Sequence, residues 1–174
     1  MNRCLLFLCF LLIFQSFLSA QTAIEIEELL NTPSVSYGQA ARFVLKAADS
    51  ADSSGQEGFF SPAEAFSFAA ERAWLPGEAA SNGEASLEGI SLLIMRSFDM
   101  KGGLFYSVFK NSHYAYRELV YKDIIQGKTE PGMAVSGETL LFLVNRVLSC
   151  MESITPAPAA EGKAGAELST EKQQ

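Results

Sequence analysis

The sequence predicts an all-α fold built from helix-loop-helix repeats of 50 residues, whose second helices are buried against one another. Three observations predict it. Laid on itself at an offset of 50 without gaps, the chain aligns Val35–Asp49, Ala85–Asp99 and Val135–Ser149. Ser36, Ser86 and Ser136 each precede an apolar stretch, where a side-chain oxygen can cap the unpaired amides of a first helical turn. Within the stretches apolar residues recur at helical spacing: Ala40, Phe43, Val44 and Ala47, then Ile90, Leu93 and Ile94, then Leu140, Leu143, Val144 and Val147.

Residues 1–20 read as a signal peptide, with Arg3 followed by an apolar run, Cys4–Phe14, too short to cross a bilayer, and with cleavage expected after the small residue Ala20. An uncleaved N-terminal anchor is the other reading. Residues 21–52 form a truncated first repeat, in which Ile24–Leu30 stand in for a leading helix. Ser36 and Gln39 supply a capping box for the second helix.

The second repeat, residues 53–102, starts a helix at Ser61 with Pro62 in the first turn and Glu64 closing a capping box. Its second helix follows Ser86, with Glu88 near the positive end. The third repeat, residues 103–153, starts at Asn111 and continues through Ser136 with Glu138. Gly77 and Gly127 align where the chain is expected to leave the first helix. Lys46, Arg96 and Arg146 align in what reads as the last turn of the second helix. The second helices of repeats two and three are apolar on nearly every side, which predicts burial all round. Phe66, Phe68 and Tyr121 read as core, and Gly102-Gly103 as a flexible turn between repeats. Residues 154–174, with Leu168 as their one large aliphatic side chain, read as a disordered tail.

Composition excludes several function classes. The net charge of −7 lacks the footprint of a nucleic-acid binder. Removing Met1–Ala20, which holds one arginine and no acid, leaves 154 residues with 12 basic and 20 acidic groups, a net charge of −8. That removal leaves Cys150 as the last cysteine, so no internal disulfide forms, and its position on an apolar helix suits an inert thiol. One histidine and three cysteines are too few for a common zinc site. No serine sits in a nucleophile elbow, and Glu27-Glu28 lie on a polar segment, so the chain reads as non-enzymatic, with no cofactor and no metal.

Several residues then gather into a family likeness. His113-Tyr-Ala-Tyr116, Ile124-Ile-Gln-Gly127, Val135-Ser136 and the apolar helix ending Asn145-Arg-Val-Leu148 resemble the surface-layer homology (SLH) domain. The likeness is clearest over Lys110–Leu148, weaker over Phe60–Phe98, and reaches the first repeat through its second helix. It implies three repeats packed as a pseudo-trimeric bundle, with cell-wall polysaccharide held in the grooves between them. At the position of the arginine that in this family contributes to gripping an anionic glycan, this sequence has Tyr37, Leu87 and Gly137.

Six residues are candidates for ligand binding. His113, Tyr114 and Tyr116 suit stacking on a sugar ring, or packing of a helix start into the core. Trp74 is an apolar loop anchor or a further aromatic contact. Arg96 and Arg146 suit acidic groups in an inter-repeat groove, or serve as helix-end charges. The expected protein is exported, to the periplasm or the cell surface, and associates with an envelope polysaccharide or an envelope protein. It has no integral membrane span after signal cleavage.

Overall fold

Five of the expected caps form, and they fix where the helices begin. The structure, a computed structural model, describes residues 25–51 and 61–154. The signal-peptide and tail readings lie outside the described residues, apart from Ile154. Among the described residues the fold is helical, with isolated bridges and no strands. Residues 25–30 are helical (α1). They are followed by α2 (Tyr37–Ala51), α3 (Pro62–Glu71), α4 (Leu87–Ser97), α5 (Leu104–Phe109), α6 (Ser112–Tyr121) and α7 (Gly137–Ile154).

Ser36 and Gln39 exchange hydrogen bonds at the start of α2, at 3.2 and 3.0 Å. Ser61 and Glu64 form the same box at α3. Ser86 accepts from the Gly89 amide, Asn111 from that of Tyr114 and Ser136 from that of Thr139. Each contact satisfies one of the amides that a helix start leaves without an intrahelical partner.

At α2, α4 and α7, further first-turn amides are satisfied by distant loops. Tyr37 N–H donates to the Gly83 carbonyl and Gly38 N–H to Ser81, at 3.0 and 2.9 Å. At α4, Leu87 donates to Met133 and Glu88 to Pro131, at 2.8 and 2.9 Å. At α7, Gly137 donates to Thr32 at 3.0 Å. Just before these three helices, Val35 N–H donates to Val135 O, Val135 N–H to Ala85 O and Ala85 N–H to Val35 O, at 2.8, 3.1 and 2.9 Å. The three buried residues thus close a triangle of backbone hydrogen bonds, with corners 50 positions apart.

Other backbone details recur at the same interval. Ala73 and Asp123 both take positive φ, 54° and 57°, just beyond α3 and α6. Trp74 N–H donates to Ala69 O and Ile124 N–H to Leu119 O, each at 2.9 Å. The chain therefore leaves both helices well before Gly77 and Gly127, and it does so in the left-handed conformation that ends many helices. These two glycines lie in the loops that follow.

The core collects where α2 packs on α3, α4 and α7, and where α4 packs on α6. α4 is buried on nearly every side, from Leu87 through Met95. Its one buried polar side chain, Ser91, donates back to the Leu87 carbonyl at 2.7 Å. α7 differs from expectation. Leu140, Leu143, Val144 and Val147 are buried, and α7 contacts α2, but Phe142 on the opposite side is exposed, so α7 is not covered all round.

Helix lengths also move two charges. Because α2 runs to Ala51 and α7 to Ile154, Lys46 and Arg146 lie inside their helices, and Arg96 alone occupies a last turn. Cys150 is a free, half-buried thiol on α7. No helix among the described residues is long and apolar enough to cross a membrane.

Candidate functional site

The aromatic candidates on α6 meet a helix that the sequence reading did not contain. Ala115 and Leu119 bury one side of α6, so His113, Arg117 and Tyr121 face outward. α5 lies against this helix. Its Tyr106 is buried, and Gly103 N–H donates to the Glu118 carboxylate at 2.8 Å. Gly102-Gly103 form a closely fitted turn: a Cβ on Gly102 would stand 2.5 Å from the Tyr106 ring, and one on Gly103 2.8 Å from Glu118.

Tyr114 stacks on Phe105 and Phe109 of α5, with ring centres 5.8 and 5.4 Å apart, and His113 meets it edge-on at 5.5 Å. Phe105, Tyr114, Arg117, Glu118 and Tyr121 line a shallow cleft of about 290 Å³. Tyr121 is 86% exposed and so is not core. It sits in the last turn of α6, past the buried positions, where nothing from the bundle reaches it.

The other candidates make their contacts elsewhere. The Tyr116 hydroxyl donates to the Thr129 carbonyl at 2.8 Å, tying α6 to the loop before α7. Trp74 meets Phe68 edge-on at 5.8 Å and packs against the core. Arg146 lies over the Phe142 ring at 5.7 Å. Arg96 Nε and the Tyr106 hydroxyl are both buried without a protein hydrogen-bond partner. Burial pushes the ionisation of Tyr106 up, against the opposing pull of Arg96. Of the six candidates, these contacts join His113 to Tyr114 alone.

Tyr37, Leu87 and Gly137 are all covered. Tyr37 is buried, with its hydroxyl 3.0 Å from Ser86 Oγ, and a side chain on Gly89 would collide with that ring. Leu87 is buried in α4. Gly137 lies directly under the Leu29 carbonyl of α1, which leaves no room for a Cβ.

A second groove, of about 150 Å³, opens between α1, α2 and the start of α3. Its Arg42 and Lys46 pair with Glu25 at 2.7 and 3.2 Å. Partial burial raises the Glu25 carboxyl, but Lys46 and Arg42 outweigh this and hold it below its ordinary value. No cluster of three metal-ligating side chains occurs among the described residues.

The sequence reading missed Phe105, Arg117 and Glu118. For Phe105 the signal is the run Leu104–Phe109 with a lysine on either side, a short helix whose apolar residues repeat at i and i+4; Arg117 and Glu118 carry no such signal. No protein-family model, curated protein or solved structure matches the chain.

Proposed function

We propose that this chain is an exported, non-enzymatic module of three SLH-like units, closed as a pseudo-trimer, that associates with the cell envelope in the periplasm or at the cell surface. The observation that carries the proposal is the triangle of backbone hydrogen bonds among Val35, Ala85 and Val135. Three equivalent positions bonded head to tail are what a closed array of like units requires. The serine caps at 36, 86 and 136 and the paired turns at Ala73 and Asp123 support the same reading.

In the glycan-binding form of this proposal, an envelope polysaccharide lies in a groove between units, with His113 and Tyr116 of α6 and Arg146 of α7 among the side chains that hold it. A second form is favoured by Tyr37, Leu87 and Gly137. With each of these positions covered by the protein itself, the module is an interaction scaffold that keeps the repeat fold and dispenses with the anionic-glycan grip.

Retention on purified cell-wall sacculi separates the two. Retention at physiological salt that is lost in His113→Ala, Tyr116→Ala and Arg146→Ala supports the glycan form. Absence of retention removes it and leaves the scaffold, for which cross-linking in intact cells to another envelope protein is the positive test.

A further inference from the structure

The least satisfied surface among the described residues is the outer face of α5. Leu104, Phe105, Val108 and Phe109 fall on one side of this single-turn helix, and they are 77, 64, 66 and 58% exposed. They do not hang on a loose loop. Tyr106 pins the inner side into the core, Gly103 is bonded to Glu118, Tyr114 stacks beneath Phe105 and Phe109, and Lys110 ends the helix in the left-handed conformation. A fixed, convex ridge of large apolar side chains held in water carries a standing cost unless something covers it.

We propose that α5 is a membrane-contact ridge, which inserts its four apolar side chains into the acyl boundary of an anionic lipid surface. Charge identifies the occupant. Residues 99–123 carry Lys101, Lys110, Arg117 and Lys122 against Asp99, Glu118 and Asp123, a local net charge of +1 in a chain of net charge −7. All four basic residues are exposed, and Glu118 already accepts from the Gly103 amide.

Basic side chains around a protruding apolar face are the arrangement that anionic headgroups and acyl chains recognise together. The long aliphatic stems let the charges stay at headgroup level while the ridge goes deeper. The exposed Tyr121 ring, beside Phe105 in the cleft, suits the same interface, apolar in body and polar at its tip. A convex ridge needs no matching groove when the partner is lipid. This inference stands on α5 and its neighbours and needs neither the three-unit array nor a glycan.

The test places an indole on the ridge. Phe105→Trp is made in the chain as recovered from the cell, and its fluorescence is compared with that of the parent, whose one tryptophan is Trp74. Vesicles of phosphatidylglycerol with phosphatidylcholine, brominated in the acyl chains, should shift the added emission to the blue and quench it. Vesicles of phosphatidylcholine alone should bind at least tenfold more weakly, since each basic residue near an anionic surface contributes roughly fivefold.

Adding Leu104→Glu and Val108→Glu should abolish the quenching while leaving the thermal melt in place, because both side chains face solvent. Three results overturn the proposal: no quenching on anionic vesicles, equal quenching on neutral ones, or quenching that survives the two glutamates. Self-association that the glutamates abolish, seen without any vesicle quenching, also overturns it and assigns the ridge to a second copy of the chain. Sacculus retention is a separate measurement, so either result stands or falls alone.

Discussion

Gly89 shows how closely single residues are matched in this protein. The Tyr37 ring lies across it, its hydroxyl both bonds Ser86 Oγ and accepts from the Ser86 amide, and no side chain larger than hydrogen fits between them. Gly89→Ala should therefore cost about 1–3 kcal/mol of stability in urea unfolding, the usual range for overpacking a filled site. In a Tyr37→Ala background the same change should cost much less. A double-mutant cycle without coupling between the two positions would show that the contact is not what limits residue 89. Tyr37 was legible as a departure from a family pattern, but its pairing with Gly89 was not. Sequence spacing says nothing about which side chain will fill the space above a glycine 52 positions away.

Among the helices, the starts were legible in the sequence and the ends were not. A cap is a local device: Ser61, Glu64 and Pro62 specify the beginning of α3 within four residues, whatever surrounds them. An end depends on what the next segment packs against. Ala73 and Asp123 leave their helices in a strained conformation for non-glycine residues because the amides that follow, of Trp74 and Ile124, bond back to the helix and carry apolar anchors inward. α5 was missed because its i, i+4 pattern spans only 6 residues, too short a run for periodicity to separate a helix from another apolar stretch. The packing also pairs α2 with α3 and α4 with α6, across the expected boundaries at 52/53 and 102/103. At the N-terminal edge, Glu25 ties α1 to α2 through Arg42 and Lys46. Its carboxyl is held below the ordinary value of 4.5, so the tie stabilises the fold above that pH and is lost as pH falls through the lower folded-state value. Glu25→Gln should melt below the parent at neutral pH, and the gap should close as pH falls below 4.5. A gap that persists at pH 2 would assign the effect to something other than ionisation.

For the molecule as a whole, the decisive feature is the triangle of Val35, Ala85 and Val135. The 50-residue offset located its corners in the sequence, because each corner immediately precedes a capping serine; the bonds between corners needed the fold. Since each bond joins a different pair of segments, none can open by local fraying. Native-state hydrogen exchange should find these three amides among the slowest in the chain, exchanging at one common rate through global unfolding. Three separate rates, or early exchange of one corner, would mean that the segments unfold independently. The triangle also constrains synthesis. Val35 is made early, yet its amide has no acceptor until Val135 has been translated, and Ala85 in turn waits to accept from that same residue. A nascent chain stopped anywhere before the last corner holds open donors and acceptors at its centre. The triangle therefore cannot close until Val135 has been made, and the three segments settle together after that point and not one by one from the N-terminus.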